Sequence, residues 1–386
     1  MRSALTNARV FTGDEWLEGA TVLLEGDQIL YVGREPDPAV VVGQTRDMKN
    51  ARLVPGFIDV QVNGGGGALL NKQTTREGIR TIARAHRQYG TTGMLPTLIT
   101  DDRSVMEKAI EAVDDALSHK EAGVLGIHLE GPYLNQNRKG VHQKDKIRDM
   151  EEGATALLSS LKQGVTLVTL APEKNALGTI KELVRAGVIV AAGHTAGEYE
   201  DYQKAFAEGL SCFTHLFNAM TPMNSREPGA VGAALDHDES WCGLIVDGYH
   251  VHPATLKVAI KAKQRGKMML VTDAMPTVGS DQDFFELYGQ KIFNRDGRCT
   301  TEDGTLAGAH LDMATAVRNT VEMLGLPHDE ALRMASLYPA QFLGLGSEYG
   351  MIKEGYKASM VLLDDNGYVL DTWIDGRDMA ADGFTK

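Results

Sequence analysis

The chain has 386 residues, of which 43% are hydrophobic and 24% charged, and its formal net charge is −13. This length predicts two structural units, and the composition is typical of a globular protein with a large core and argues against disorder. The negative charge disfavours nucleic acid and anionic membranes as the main partners, so an anionic small ligand requires a local basic pocket.

The cysteines and the N-terminus indicate the compartment. Cys212, Cys242 and Cys299 are odd in number and widely spaced, which fits neither a disulfide framework nor a zinc ribbon. Polar residues interrupt the N-terminus before an apolar signal-peptide core can form, and no run of about 18 apolar residues occurs. We therefore expect a protein of the reducing cytoplasm, without a membrane span.

The two ends of the chain share a β pattern. From Ala8 to about Met48, short apolar stretches alternate with Gly and Asp turns, which predicts a β-meander. The segment from Gly350 repeats this character, and its Asp365-Asn366-Gly367 is a hairpin signal. We expect the two ends to pair as one small β domain.

Between the ends, apolar β-type runs alternate with helical patterns such as residues 76–90, which is typical of βα units around a parallel sheet. Nearly all of the runs end in a polar or ionisable residue, and the carboxyl ends of barrel strands form the rim where active sites lie. The pattern predicts an α/β fold with a (β/α)₈ TIM barrel at residues 53–348, flanked by the β-domain segments 1–52 and 349–386. The eight predicted strands are Val54–Gln61, Gly93–Thr97, Val124–Glu130, Val165–Glu173, Val188–His194, Cys212–His215, Cys242–Asp247 and Met269–Asp273.

Three potential metal ligands end different predicted strands. Glu130, His194 and His215 would therefore meet at the barrel rim although they lie far apart in sequence. Two imidazoles and a carboxylate are typical ligands of a catalytic zinc or similar divalent ion, where three protein ligands leave one position for water. A single His at a strand end is more often structural, but three ligands at equivalent strand ends favour a metal site.

Asp273 ends the eighth predicted strand and is the best general base. A carboxylate there accepts a proton from water and passes it to a leaving amine, if it lies within hydrogen-bond reach of both. The alternative is that Asp273 caps a following helix. Pro276 and the glycine-containing loop after it weaken that alternative.

Arg226 and His250 are the best candidates for a cationic pocket, because a guanidinium matches phosphate oxygens well. The backbone amides of Asn218 and Ala219 would add neutral donors to the same anion. The run Gly64–Gly67 matches neither of the phosphate-binding loop patterns GxGxxG and GxxxxGK(S/T), so it is interpreted as a turn at the rim.

Ten short motifs together carry a family resemblance. In order and spacing they resemble the N-acetylglucosamine-6-phosphate deacetylases of the amidohydrolase superfamily, and the match spans the whole chain. Among them are PGFIDVQVNG (55–64), GIHLEGPYLN (126–135), THLFNAM (214–220), REPG (226–229), DGYHV (247–251), VTDA (271–274) and GTLAG (304–308).

The resemblance implies a barrel with a small β-sandwich domain, a cytoplasmic homodimer, and hydrolysis of GlcNAc-6-phosphate to acetate and glucosamine 6-phosphate. It also implies roles for nine residues and a phosphate site completed by the neighbouring subunit, with either Arg226 or His250 crossing over. The metal ligands would be Glu130, His194 and His215, and the acid/base would be Asp273. His142 would contact the sugar or its acetyl group. The substrate and its phosphate would be surrounded by Asn218, Ala219, Arg226 and His250.

Two departures from the superfamily pattern matter. Where many amidohydrolases have HxH after the first strand, this chain has the neutral amides Gln61 and Asn63, which we regard as auxiliary site residues. We therefore expect one divalent ion per subunit, with Zn²⁺ favoured and Fe²⁺ or another divalent ion as alternatives. The second departure, Ala309-His310-Leu311-Asp312, follows GTLAG and affects substrate detail rather than reaction class.

Two alternatives remain open at this point. The same chemistry on another substrate, such as GalNAc-6-phosphate or a cyclic amide, is the nearer one. A non-catalytic scaffold protein that keeps the barrel is the other, and the complete ligand set together with Asp273 disfavours it.

Overall fold

The two ends of the chain form one seven-stranded sheet in the computed structural model, which describes residues 2–36 and 41–384. Its strands are β1 (Arg2–Phe11), β2 (Trp16–Glu25), β3 (Gln28–Gly33), β4 (Gln44–Asp47), β5 (Arg52–Pro55), β20 (Met360–Leu363) and β21 (Val369–Trp373). They lie in the order β21-β20-β5-β1-β2-β3, and β4 pairs with β1. The sheet has its own hydrophobic core, which includes Val22, Leu53, Met360 and Trp373.

A second sheet of eight parallel strands forms the barrel. Its strands are β6 (Phe57–Val62), β9 (Thr91–Ile99), β10 (Gly126–Glu130), β11 (Val165–Leu170), β12 (Ile189–Ala192), β13 (Cys212–Phe213), β14 (Trp241–Leu244) and β15 (Met268–Leu270). They pair in sequence order from β6 to β15. The amides of Asp273 and Asn63 bond across the remaining seam, to the carbonyls of Gln61 and Ala274 at 3.0 Å each. The predicted (β/α)₈ barrel is therefore confirmed.

The first predicted strand was wrong in one respect, because Val54–Gln61 is not one strand. Val54 and Pro55 pair with β20 of the terminal sheet, and only from Phe57 does the chain pair with β9 of the barrel. Gly56 lies at the crossing, where an added Cβ would lie 2.0 Å from Thr92 Oγ1. Glycine is required because the chain passes directly against the second barrel strand.

In the described part of the chain, eight helices alternate with the barrel strands, and two more lead back to the terminal sheet. They are α1 (Arg76–Arg87), α2 (Arg103–Ser118), α3 (Ala154–Leu158), α4 (Thr179–Arg185), α5 (Tyr199–Glu208), α6 (Gly229–Asp236), α7 (Pro253–Ala262), α8 (Met313–Glu322), α9 (His328–Ala335) and α10 (Leu337–Phe342). In α1, the Thr75 hydroxyl caps the N-terminus and Ile79, Ile82 and His86 are buried. That spacing of three to four residues places one apolar face against the barrel. None of the helices in the described ranges is long and apolar enough to span a bilayer.

A small antiparallel sheet between β15 and α8 was not predicted from the sequence. It consists of β16 (Phe284–Leu287), β17 (Gln290–Arg295), β18 (Arg298–Thr300) and β19 (Leu306–Ala309), and a separate two-stranded hairpin pairs β7 (Gly64–Gly65) with β8 (Ala68–Leu69). Phe285 and Ile292 pack with Ile99 and Met275 in a core of their own. Ala309 bridges to Ala274, which attaches the small sheet to the mouth of the barrel.

Candidate metal and catalytic site

Three site residues follow barrel strands in an unusual backbone conformation. His194 comes after β12, His215 after β13 and Asp273 after β15, with φ angles of 47°, 34° and 51°. Residues with a Cβ rarely adopt positive φ, and each such residue costs about 1–3 kcal/mol unless its surroundings hold it. Positive φ at three strand ends is typical of a functional site, where the fold fixes side-chain directions at the expense of local stability.

The three predicted metal ligands meet in one buried cluster. Glu130 Oε1 lies 3.1 Å from His194 Nε2 and 3.0 Å from His215 Nε2, and the two Nε2 atoms are 3.0 Å apart. All three side chains are at most 7% exposed. Contacts with His194 and His215 outweigh burial and hold the pKa of Glu130 well below its usual range. Burial opposes protonation of His215, yet the neighbouring Glu130 raises its pKa.

The donor atoms of this cluster fit a divalent metal ion. His194 Nδ1 lies 2.8 Å from the carbonyl oxygen of Arg138, so Nδ1 carries a proton and Nε2 faces Glu130 and His215. His215 Nδ1 is buried without a partner in the described chain. Tetrahedral zinc with bonds of about 2.0 Å has ligand–ligand edges of about 3.3 Å, close to the observed spacing. Converging lone pairs at that spacing are the arrangement that a cation stabilises.

Asp273 lies beside the cluster and is held by the two auxiliary amides. Its Oδ1 accepts hydrogen bonds from Asn63 Nδ2 at 2.7 Å and Gln61 Nε2 at 3.2 Å, and Gln61 Nε2 also contacts Glu130 Oε2 at 3.2 Å. Burial and the charge of Glu130 raise the pKa of Asp273 to about 6. A carboxyl group that titrates near neutral pH suits proton transfer in both directions.

A buried carboxylate joins the first and eighth strands directly below Asp273. Asp59 Oδ1 accepts hydrogen bonds from the amides of Gln61 at 3.1 Å and Thr272 at 3.3 Å, and its Oδ2 accepts from the Thr272 hydroxyl. Burial raises the pKa of Asp59 to about 7. The seam of the barrel and the position of Asp273 therefore depend on this side chain.

His142 reaches the cluster from the loop after β10. Its Nδ1 accepts a hydrogen bond from the amide of Thr100 at 3.3 Å and lies 2.7 Å from that residue's hydroxyl. Burial and the neighbouring His194 hold the pKa of His142 well below its usual range, so the ring is neutral and its proton resides on Nε2. That N–H lies 3.9 Å from Glu130 Oε1 and can donate to a substrate oxygen beside the metal position.

His250 is oriented by a carboxylate on the opposite wall. Its Nδ1 donates to Asp247 Oδ2 at 2.6 Å, and this contact outweighs burial to lower the pKa of Asp247. Asn218 and Ala219 line the same cavity as His250. Arg226 is exposed on the segment before α6 and is not among the residues that line this cavity in the described chain.

The cavity over the cluster has a volume of about 220 Å³ and combines a polar floor with apolar walls. Glu130, His194, His215 and Asp273 form the floor, and the apolar side chains of Ile99, Met275 and Leu306 line the walls. Gly308 has a φ of 66°, and an added Cβ would lie 2.6 Å from Met275 and 3.0 Å from the Asp273 carbonyl. This glycine therefore allows the outer sheet to approach the strand end that carries Asp273.

Several residues that support the site were not predicted from the sequence. Asp59 lies within the PGFID run, and its position two residues before Gln61 on the same face of β6 was an available signal. His128 lies beneath the cluster, with Nε2 2.7 Å from Thr169 Oγ1, and burial lowers its pKa to about 4. Its contacts join β10 to β11 across a long sequence separation, so no local pattern indicates them.

Similarity to known proteins agrees with this geometry. Residues 52–379 match the family model described as Amidohydrolase family. The chain is 42% identical to an N-acetylgalactosamine-6-phosphate deacetylase of Shewanella sp. (strain ANA-3), over 93% of this chain and 94% of the relative. It is 34% identical to an N-acetylglucosamine-6-phosphate deacetylase of Haemophilus influenzae, over 98% and 99% of the two chains.

Solved structures show the same fold over the full length. The crystal structure of N-acetylglucosamine-6-phosphate deacetylase from Pasteurella multocida superposes with a TM-score of 0.93 at 35% identity, covering 98% of this chain and 99% of that one. A mutant of the Mycobacterium smegmatis enzyme in complex with N-acetyl-D-glucosamine-6-phosphate has a TM-score of 0.90 at 31% identity, with coverage of 98% and 99%. The chain therefore belongs to the amidohydrolase family.

Proposed function

We propose that this chain is an N-acetylglucosamine-6-phosphate deacetylase, which hydrolyses the acetamide of its substrate to acetate and glucosamine 6-phosphate. The observation that carries the proposal is the meeting of Glu130, His194, His215 and Asp273 in one cavity. Full-length similarity to deacetylases of this class supports it.

Glu130, His194 and His215 would hold one divalent ion per subunit, with Zn²⁺ as the first choice for this ligand set and Fe²⁺ as an alternative. Bound there, the ion would act as a Lewis acid toward the acetyl carbonyl and lower the pKa of water. Gln61 and Asn63 bond to Asp273, and carboxamides are weak transition-metal ligands, so they do not replace the histidines of a second metal site.

Asp273 is the proton carrier of the proposed reaction. It removes a proton from the water that attacks the acetyl carbon, and it then protonates the sugar nitrogen as the C–N bond breaks. The Nε2–H group of His142 donates a hydrogen bond to the acetyl oxygen, on which negative charge develops. The apolar side chains of Ile99, Met275 and Leu306 enclose the methyl group.

The sugar would extend from the metal position toward the wall that carries His250, Asn218 and Ala219. Its phosphate needs a cation, and Arg226 of the same chain is exposed rather than part of this cavity. A homodimer in which Arg226 of one subunit completes the phosphate site of the other satisfies that need. Such a metabolic enzyme would work in the cytoplasm.

A second substrate has specific support, because the relative with 42% identity is an N-acetylgalactosamine-6-phosphate deacetylase, as is a relative from Escherichia coli O157:H7 with 34% identity. GlcNAc-6-phosphate and GalNAc-6-phosphate differ only at C4. A ratio of kcat/KM values that favours the galacto epimer by more than about tenfold would reverse the assignment.

The test is acetate release from GlcNAc-6-phosphate, GalNAc-6-phosphate and unphosphorylated GlcNAc, with and without a chelator. We expect rapid release from a phosphorylated sugar only, and its loss on metal removal. Equal rates with and without the phosphate would contradict the phosphate site. Absence of acetate from all three sugars, in metal-loaded protein, would favour a non-catalytic scaffold.

A further inference from the structure

A second cavity lies beside the catalytic one and is used by no step of the proposed reaction. Its volume is about 380 Å³, compared with about 220 Å³ for the catalytic cavity. The two cavities share Gly140, Val141, His142 and Thr305 as lining residues. One wall is the loop that carries His142, and the other is the outer sheet β16–β19.

The lining of the second cavity has the chemistry of a saccharide site. Planar amides of Gln143 and Gln290 and the carboxylate of Asp303 offer donors and acceptors for hydroxyl groups. Tyr288 adds an aromatic ring, held rigid because its hydroxyl donates to the carbonyl of Thr100 at 2.6 Å. An aromatic surface beside a few fixed polar groups suits a pyranose, which has both C–H faces and hydroxyls.

The charged side chains of the second cavity disfavour an alkyl chain as its ligand. Lys139, Lys144 and Asp303 line this cavity, so two ammonium groups and one carboxylate can bond to the hydroxyl groups of a ligand. Asp303 Oδ1 is engaged by the amide of Thr305 at 3.2 Å, whereas its Oδ2 has no hydrogen bond within the described ranges. An alkyl extension of the acyl group would leave these polar groups unpaired.

The position of the cavity indicates which part of the substrate points toward it. In an N-acetylhexosamine 6-phosphate, C2 carries the acetamide, C1 and C3 are its direct neighbours, and C6 lies across the ring. Of the two neighbours, C1 is the anomeric carbon, through which the sugar forms its own glycosidic bond. The acetamide belongs at the metal cluster and the phosphate at the wall of His250, so the second cavity, which begins at His142, lies on the acetamide side.

We propose that the second cavity binds a pyranose joined to C1 of the substrate, so that the chain deacetylates a 6-phosphorylated N-acetylhexosamine still in glycosidic linkage. This inference depends on the proposed function and extends it from a free sugar phosphate to its glycosides. Gln290 and Asp303 bond to the hydroxyls of the second sugar, and Tyr288 packs against its face.

The experiment compares kcat/KM for free GlcNAc-6-phosphate, its methyl β-glycoside, its 3-O-methyl ether and a β-linked disaccharide phosphorylated on the N-acetylated unit. We expect the disaccharide to be hydrolysed within about tenfold of the free sugar. A disaccharide rate below about one hundredth of it, or acceptance of the 3-O-methyl ether in place of the glycosides, overturns the subsite. Failure of every substrate, including the free sugar, refutes the proposed function itself.

Variants of Gln290 separate the subsite from the catalytic cavity, because this exposed residue lines only the second cavity. Gln290→Ala should lower kcat/KM for the disaccharide about tenfold through a lost hydrogen bond, and Gln290→Trp should block the disaccharide by bulk. Both variants should keep wild-type activity on the free sugar. Gln264→Ala, at the opposite end of the barrel before β15, is the matched control. Equal loss on both substrates, or no loss in either variant, contradicts the proposal.

Discussion

Replacing Asp273 by Asn tests the proton carrier without disturbing the site. The side-chain oxygen of Asn can keep both hydrogen bonds that Asp273 Oδ1 accepts from Asn63 and Gln61, at 2.7 and 3.2 Å. Its NH₂ group then takes the place of Oδ2 and cannot accept a proton. We expect kcat to fall by about 10²–10⁴-fold, the usual contribution of a general acid–base group, while the metal content stays at the wild-type level.

The assay is acetate release by purified, metal-loaded protein, with metal content measured on the same sample. Asp238→Asn is the matched control, because Asp238 is exposed in the loop before β14, away from the carboxyl ends of the strands. A kcat within about tenfold of the wild-type value would refute the assignment of Asp273. Loss of metal together with activity would instead show that Asp273 is a ligand.

Four further predictions concern the metal, the phosphate and stability. Titration of the apoprotein should restore full activity at one divalent ion per chain, and saturation at two would contradict the role of Gln61 and Asn63. Arg226→Ala should lower kcat/KM for the phosphorylated sugar by about one to two decades, since a charge-assisted contact contributes about 1.5–3 kcal/mol, and an unchanged value would place the phosphate elsewhere. Thr272→Val should lower the free energy of unfolding by about 1–3 kcal/mol, because Asp59 loses a buried hydrogen-bond donor, and it should also lower kcat. The free energy is measured by urea denaturation, with Thr320→Val, which loses only a hydrogen bond to the helix backbone, as the comparison. The pKa of Asp247 lies below its usual 3.8, so its ionised form stabilises the fold above pH 3.8. This stabilisation is lost as the pH falls through the lowered pKa. Wild type and Asp247→Asn should therefore differ in urea midpoint at neutral pH and converge in strong acid.

Some residues and strands of this protein were predicted correctly from the sequence and others were not, for physical reasons. Glu130, His194 and His215 were found because each stands at the carboxyl end of an apolar run, and a parallel barrel brings all such ends to one rim. The run Val54–Gln61 was wrongly predicted as one strand, because both of its halves are buried and apolar although they pair with strands of different sheets. The outer sheet β16–β19 escaped prediction because its strands are short and mostly polar, with their apolar partners on distant segments.

By itself, the sequence determined the order of the eight barrel strands, the residue types that can bind a metal and transfer protons, and the absence of a first-strand HxH pair. Each of these depends on local periodicity or on the chemistry of single side chains. Only the tertiary structure decided which atoms meet: Asp59 closing the seam beneath Asp273, the neutral His142 facing Glu130, and the second cavity between the His142 loop and the outer sheet. Such contacts join residues up to about two hundred positions apart, and a local pattern contains no information on their distances or protonation until the fold has brought them together.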